Sequence, residues 1–495
     1  MHISSLPNKY GIGTFGKSAY QFVDFLKSGN MRYWQVLPLV QTGFGDSPYQ
    51  SVYSGSGNPY FIDLETLVEE GLLKKEEIEN CLSESDLVDY NFLSREKYAT
   101  LRLAYSRFDK SDKDFLNFVK KGEFRYYALF MALKEKFGGV QFSDWEKDYK
   151  FAKESALLKF EKQNYDEYLF WMFLQYEFLL QWKKLKKYAN DNGVKIIGDI
   201  PLYVAYDSVD VWINPSLFKL NKDRSMQKVA GVPPDYFSET GQLWGNPVYR
   251  WTTHEKQGFE WWINRLKQAF SLYDVVRLDH FRGFDRYFEI DAGAKTAEIG
   301  KWQKGPKNKL FDLAKKKIKN CDFIAEDLGL LDAGVYRLID KTGFPNMKVI
   351  EFAFDGNSKN PYLPENINEN SVCYTGTHDN DTLIGYLDSM HGYEYYQFCE
   401  RFNKYVGKNL HYDKVAMAQE MVSLALNSKS KVKIIPIQDM LLLDGSARMN
   451  TPATIGKNWA FRLKELPKKS DICKPMKKYF KGSLSNVVVR DKKKK

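Results

Sequence analysis

The chain has 495 residues, 43% of them hydrophobic and 27% charged, with a formal net charge of +10 at pH 7. That length exceeds a single small core and implies two to four domains, or one barrel with insertions. The balance is that of a soluble globular protein and excludes disordered or fibrous classes.

No run of about 18 apolar residues occurs, so no membrane-spanning helix is expected. The start, MHISSLPNKYGIGTFG, lacks the basic, apolar and cleavage regions of a signal peptide. Five scattered cysteines, Cys81, Cys321, Cys373, Cys399 and Cys473, form no CxxC pair. They argue against a disulfide framework or a zinc site and for a reducing, cytoplasmic compartment. The positive charge ends in Lys492 to Lys495, but lysines run along the whole chain. It reads as a solvated surface, and neither a nucleic-acid nor a membrane partner is expected. The aromatic share, 16%, says more: 32 tyrosines and 11 tryptophans exceed what a core of this size needs. Flat rings of this kind can serve as platforms for sugars or bases.

In chain order, short apolar runs of strand character recur. They are a brief one at His2–Ser4, then Tyr33–Leu37, Lys195–Ile200, Asp274–Leu278, Cys321–Ala325, Met347–Phe354, Ser371–Thr375 and Val432–Ile437. Most are β-branched or aromatic and of the length of buried parallel strands. Helical patterns lie between them, as at Ser18–Lys27, Asn308–Lys319 and Asp381–Met390. Eight strands with crossovers predict an α/β fold, a (β/α)8 TIM-type barrel with helical and loop insertions, whose chemistry sits at the C-terminal strand ends. The barrel is expected over 1–63 and 191–465. A helical insertion is expected over 64–190, with periodicity at Glu154–Lys162 and Tyr168–Lys187. A lid or loop subdomain is expected over 205–262, and a basic tail over 466–495.

Gly11, Gly13 and Gly16 spell GxGxxG ahead of a helix. A dinucleotide site needs a full strand before that motif and an acid after the next strand. The next strand ends Leu37-Pro38-Leu39, so the glycines read as a tight turn and no cofactor is expected.

Three strand ends carry acids. Alternation along Asp274–Leu278 puts Arg277 and Asp279 on one face, where an arginine lowers the carboxylate's pKa and keeps it ionised. A structural Arg–Asp pair would look the same. The next strand ends IAEDLG; its neighbours Glu326 and Asp327 point opposite ways, one to the barrel mouth and one to a turn. A later strand ends TGTHDNDT, with His378, Asp379 and Asp381, and either aspartate could instead cap the following helix. Together they supply what glycosidic cleavage requires: a proton donor, a nucleophile and negative charge near an oxocarbenium-like sugar. Six histidines without HxH or HExxH spacing, and no EF-hand loop, give no metal site. The loop Val229–Trp251 and the segment GFGDSPYQ mix Gly, Pro and aromatics with little charge, as exposed sugar-binding surfaces do.

The motifs RYWQVLPL, GDSPYQS, GNPYFIDL, GDIPLYVAYDSVDVW, GVPPDYFSETGQLWGNPVY, VRLDHFRGF, IAEDLG, GTHDND and ARMNTP stand in order between His2 and about Leu466. In these the chain resembles the amylomaltase family of bacterial 4-α-glucanotransferases, within the α-amylase clan. The resemblance implies retaining transglycosylation without metal or organic cofactor. It assigns Asp279 as nucleophile, Glu326 as general acid/base and Asp379 as the carboxylate that steadies the distorted sugar. Tyr49, Asp199, Arg277 and His378 match the donor pocket, and Trp244 matches an aromatic on the acceptor side. Asn450 lies in another groove segment, and Ser47, Asp235 and His280 complete the implied substrate-binding set. Its partners would be maltooligosaccharides and α-1,4-glucans as donors and acceptors, with glucose as a further acceptor. Family members usually carry several residues before the HISSLP-like segment, whereas this chain begins Met1-His2, so either the true start lies upstream or the first strand is clipped. The competing readings are a hydrolase of the same clan, a non-catalytic glycan-binding protein and a nucleic-acid binder.

Overall fold

A computed structural model describes residues 1–234, 238–329 and 331–480. It contains eleven described strands: β1 (Tyr33–Gln35), β2 (Lys195–Ile200), β3 (Lys228–Val232), β4 (Gln242–Pro247), β5 (Val275–Leu278) and β6 (Arg286–Asp291). The rest are β7 (Gly300–Lys304), β8 (Asp322–Ala325), β9 (Asn346–Val349), β10 (Ser371–Tyr374) and β11 (Val432–Ile434). Seven of them make one parallel sheet in the order β1-β2-β5-β8-β9-β10-β11. Helices lie between its strands, as a barrel of this kind requires.

The sheet's two faces follow from the alternation of its residues. Ile197, Val275, Ile324, Met347, Val349, Val372 and Tyr374 form one apolar cluster, the filling of the barrel. Ile196, Ile200, Val276, Leu278, Phe323 and Ala325 instead join the large outer core with the helices. A period of two carries the inward row onward from Ile197 to Asp199, from Val275 to Arg277 and Asp279, and from Ile324 to Glu326. Each inward row is thus apolar low in the barrel and ionisable at its C-terminal end.

The expected eighth strand at His2–Ser4 is absent. Ile3–Ser5 forms a single 3₁₀ turn, and the barrel is nearly closed with seven strands. The cause is local. Leu6 N–H bonds back to Ile3 C=O (3.0 Å) and Gly13 N–H takes Ser4 C=O (3.0 Å). Towards β1, it is the His2 side chain, through Nδ1, that accepts from Leu37 N–H (3.2 Å). The run Met347–Phe354 is also shorter as a strand, which stops at Val349 before a 3₁₀ turn over Ile350–Phe352.

The GxGxxG glycines have packing explanations. Gly11 takes φ +80°, a Cβ on Gly13 would stand 1.9 Å from Ile3 C=O, and one on Gly16 would stand 2.1 Å from Asp63 Oδ2.

Within 64–190 the described elements of any length are helices, the longest being Tyr165–Asp191. That helix fastens the loop after β1. Gln175 exchanges two hydrogen bonds with the Gly57 backbone (2.7 and 3.0 Å), and Gln181 accepts from Asp63 N–H (2.7 Å). A second sheet runs β4-β3-β6-β7. It joins the segment before β5 to the segment after it, with Val229 paired to Ile290. Among the described residues no helix is long and apolar enough to cross a membrane.

Gly198, on the outer face of β2, yields a direct test. A Cβ there would stand 2.1 Å from the ring of Tyr273, whose hydroxyl accepts from Leu39 N–H (3.0 Å). Gly198→Ala should lower stability by about 1–3 kcal/mol, the usual cost of overpacking. It should appear as a lower midpoint in thermal denaturation, and an unchanged midpoint would show that Tyr273 moves freely.

Candidate active site

The inward rows converge where β2, β5 and β8 end. Register sets the first contact: Asp199 on β2 is the direct partner of Arg277 on β5. Arg277 Nη1 lies 2.6 Å from Asp199 Oδ2 and 3.1 Å from Asp279 Oδ1, so one nitrogen bridges two carboxylates. Arg277 and Asp199 are almost wholly enclosed, with side chains 4% and 1% exposed, while Asp279 keeps 27% of its side chain open. Arg277 Nε points at Met347 Sδ (3.4 Å), the apolar floor beneath the cluster. Tyr49, from the loop after β1, donates its hydroxyl to Asp199 Oδ2 (2.7 Å). Ser47 accepts from Tyr49 N–H (3.2 Å) and so acts on the site through Tyr49's backbone.

Beyond β5 the chain turns sharply, with His280 at φ +50°. The turn aims two amides at the next strand end. His280 N–H bonds Glu326 Oε2 (2.6 Å), and Phe281 N–H takes the Glu326 carbonyl (3.0 Å). Leu328 N–H bonds the other carboxyl oxygen, Oε1 (2.8 Å). The adjacent acid turns away: Asp327 accepts from Asn346 Nδ2 (2.8 Å) and Met347 N–H (2.9 Å), tying β8 to β9. Of the two acids, Glu326 therefore faces the mouth and Asp327 braces the sheet.

The third acid arrives from the loop after β10. Asp379 Oδ1 accepts from Asn450 Nδ2 (2.6 Å), and His378 Nε2 lies 3.4 Å from the same oxygen. The His378 ring stacks on Tyr49 with centroids 5.1 Å apart and planes at 17°, so the loops after β1 and β10 meet face to face. Trp244, on β4, meets the edge of His280 at 4.8 Å and 89°. The structure thus brings together Asp279, Glu326, Asp379, Ser47, Tyr49, Asp199, Trp244, Arg277, His280, His378 and Asn450. Asp235 lies outside the described residues.

Several residues of the cluster have no place among the sequence candidates. Trp459 packs on both Tyr49 (5.6 Å) and His378 (5.8 Å). Arg448 donates to the Asp379 carbonyl (2.7 Å). Glu351 accepts from Asn380 Nδ2 (2.8 Å), and Asn380 Oδ1 in turn accepts from Thr377 N–H (3.0 Å), which sets the loop. Arg448 sits in the ARMNTP motif, a signal that could have singled it out; Trp459 and Glu351 carry no local signal.

Electrostatically the cluster has one central cation and an excess of acids. Burial raises Asp279 well above the ordinary carboxylate range; Arg277 opposes this, and Asp199, Glu326 and Asp379 add to the rise. The open part of the Asp279 side chain lets solvent offset some of that burial. Burial raises Glu326 too, against Arg277 and its two amide bonds. Arg277 favours the ionised form of Asp279, as the sequence reading expects, while burial and the neighbouring carboxylates act against it. Both carboxyls are thus raised, and both lie in the field of the same guanidinium. His280 is pushed down to about 3 by burial and by Arg282, so its ring is neutral. Among the described residues no group of three or more His, Cys, Asp or Glu side chains could hold a metal ion.

Arg277→Lys tests the bridge. A lysine keeps the charge but loses the planar head whose Nε contact with Met347 holds Nη1 between the two acids. It should lower kcat/KM by about 10²-fold, the scale of small misplacements at a reacting centre. Wild-type rates would reduce the arginine to a structural cap.

The family model described as 4-alpha-glucanotransferase matches residues 1–468. The 4-alpha-glucanotransferase of Clostridium butyricum is 48% identical over 471 residues, covering 94% of this chain and 96% of that one. The enzyme of the same name from Thermus thermophilus is 41% identical over 472 residues, covering 94% and 93%. The structure of an amylomaltase from Streptococcus agalactiae in complex with acarbose superposes with a TM-score of 0.90 at 38% identity, covering 97% of this chain and 96% of that one. An amylomaltase from Corynebacterium glutamicum, 18% identical, shares the fold with a TM-score of 0.77, covering 98% and 73%. Matched by the family model over residues 1–468 and by such relatives over nearly their full lengths, the chain belongs to the 4-alpha-glucanotransferase family.

Proposed function

We propose that this 4-alpha-glucanotransferase works by retaining double displacement, with Asp279 as nucleophile, Glu326 as acid and base, and Asp379 as the stabilising carboxylate. The observation that carries the assignment is the pairing around Arg277. Asp279 touches the guanidinium, whereas Glu326 is held by peptide N–H groups alone. A charge-assisted contact favours an ionised group more than neutral donors do. The pair's negative charge therefore belongs on Asp279 and its proton on Glu326.

In the first step Asp279 attacks the anomeric carbon at the donor's α-1,4 bond, and Glu326 passes its proton to the departing 4-oxygen. In the second, Glu326 takes the proton of an acceptor 4-hydroxyl, whose oxygen displaces Asp279. One glycosidic bond is broken and one is made. Asp379, oriented by Asn450 and His378, places negative charge beside the oxocarbenium-like sugar. Tyr49, Asp199, Arg277 and His378 line the donor side, and the buried Nε2 of His280, unbonded to any described residue, suits a sugar hydroxyl. Ser47 sets Tyr49, and Asp235 belongs to the same substrate-binding set. The donors and acceptors are maltooligosaccharides and α-1,4-glucans, with glucose as a further acceptor, and the compartment is the cytoplasm. The working unit is a barrel over 1–63 and 191–465, with a helical insertion over 64–190, a lid over 205–262 and a basic tail over 466–495.

Asp279→Asn and Glu326→Gln should each lower turnover of maltotriose by several powers of ten without loss of fold. An α-glucosyl fluoride, whose leaving group needs little protonation, should restore the first half-reaction for Glu326→Gln alone. Near-normal activity in both variants would remove the assignment.

The raised Glu326 gives a pH test. A raised acid stays protonated to higher pH, so kcat/KM should fall only as pH climbs through that elevated value. Fluoride consumption by Glu326→Gln should lack this alkaline limb; a limb that persists belongs to another group.

Transfer over hydrolysis requires a bound acceptor, since positioning can contribute about 7–11 kcal/mol in favourable cases. In this reading Trp244, whose ring meets His280, stacks on an acceptor ring. Maltotriose should yield glucose and a ladder of longer chains with little gain in reducing ends, and Trp244→Ala should raise reducing ends per turnover. Glucose and maltose with a matching rise in reducing ends, from the unaltered enzyme, would make it a hydrolase.

A further inference from the structure

The helix Gly392–Val406, in the crossover from β10 to β11, uses its aromatic rings in two ways. On its inner face Phe398 and Phe402 stack with centroids 5.7 Å apart and pack on Phe354, and all three are buried. On its outer face Tyr393 and Tyr396, three residues apart, are neighbours. Their rings are 6.3 Å apart with planes at 18°. Tyr412, from the turn after the helix, extends the row: its ring is 5.9 Å from that of Tyr396, with planes at 24°. The three tyrosines are 72%, 49% and 44% exposed. The inner rings serve the core, whereas the outer rings form a near-parallel row in solvent.

The backbone is bent to complete that row. His411 and Tyr412 both take left-handed conformations, φ +49° and +59°, a region that residues other than glycine rarely enter. Specific bonds hold the two in place. His411 N–H donates to Asn409 Oδ1 (3.0 Å), the Tyr395 hydroxyl donates to Tyr412 C=O (2.8 Å), and Asp413 caps the next helix through Val415 N–H (2.9 Å). The Tyr412 hydroxyl then donates to Glu400 Oε1 (2.9 Å), which fixes its ring. Strain of this kind persists where the surroundings over-determine it, and it clusters at ligand clamps and active sites. Core packing does not account for it here, because the ring it delivers stands in solvent.

We propose that Tyr393, Tyr396 and Tyr412 form a surface site for a chain of α-1,4-linked glucose, separate from the acid cluster. Rigid, amphipathic tyrosines give a large contact area at small entropic cost. A sugar ring has an apolar face of C–H groups and a rim of hydroxyls, so successive units of a glucan rest on successive rings. The rim then meets polar groups along the strip: the tyrosine hydroxyls, Gln397 and Glu400, both of the latter exposed. Charge argues against the other long polymer that stacks on such rings. A single-stranded nucleic acid needs a basic groove along its backbone, whereas the charged group bonded to this row is the Glu400 carboxylate. A neutral glucan meets no such repulsion, and the family to which the chain belongs acts on α-glucans. A polymer held here stays with the enzyme between transfers, which raises the effective concentration of its chain ends at the acid cluster.

The proposal rests on long α-glucans being substrates, and its test separates the two. In native gels containing glycogen the full chain should be retarded. Tyr393→Ala and Tyr396→Ala should each weaken glycogen binding about tenfold, the scale of one lost stacking platform, and Tyr393→Trp, which keeps a flat ring, should remain retarded. The rate of the alanine variants on dilute glycogen should fall about fivefold. Their kcat/KM on maltotriose, too short to reach both places, should stay within about twofold, with the thermal midpoint unchanged. Equal retardation of the wild type and both alanine variants overturns the site. So does an equal loss of rate on maltotriose and glycogen, which would place the effect in the acid cluster. A loss of affinity for a single-stranded oligonucleotide in place of glycogen overturns it too. If the wild type neither binds nor processes glycogen, the glucan reading fails as a whole. If it processes glycogen and the variants bind as well as it does, only the tyrosine site fails.

Discussion

One buried nitrogen, Arg277 Nη1, is shared by Asp199 at 2.6 Å and Asp279 at 3.1 Å. Two carboxylates cannot sit ionised at one place in a barrel interior without a cation between them. The guanidinium is that cation, and its position is fixed by strand register, which sets Asp199 beside Arg277, and by the pleat, which sets Arg277 and Asp279 on one face. The acids can be close because the arginine is there, and the arginine can be buried because the acids are.

The loops that complete the site are held by groups remote from the chemistry. The long helix Tyr165–Asp191 reaches the loop after β1 through Gln175 and Gln181, and that loop delivers Tyr49 to Asp199. Glu351 sets Asn380, Asn380 sets Thr377, and the loop after β10 then presents His378 and Asp379. Stacking of His378 on Tyr49 joins the two loops. Loops braced in this way hold their side chains in place before any substrate arrives.

The same crowding sets the proton balance. Burial and neighbouring acids push both Asp279 and Glu326 upward, while Arg277 opposes both shifts. Their contacts differ in strength, a guanidinium for Asp279 and two peptide amides for Glu326. The GxGxxG turn plays no part in this arrangement.

Much of this is legible in the sequence. The strand runs point to the parallel barrel, and period-two alternation picks Arg277 and Asp279 for the same face and separates Glu326 from Asp327, because strand geometry is local. The motif resemblance adds Tyr49, Asp199, His378, Trp244 and Asn450, whose roles no spacing reveals. The eighth strand fails because His2–Ser4 has strand-like neighbours in sequence but spends its backbone on Leu6 and Gly13, a choice made by packing. Trp459, Arg448 and Glu351 join the site from far along the chain, and their contacts exist only once the barrel is formed. What opposes Arg277 at Asp279 is likewise beyond the sequence: burial and three acids from other strands and loops push the carboxyl upward. Local geometry determined which side chains point inward; the tertiary structure decided how many charges share one space, because that number depends on residues brought together from the whole chain.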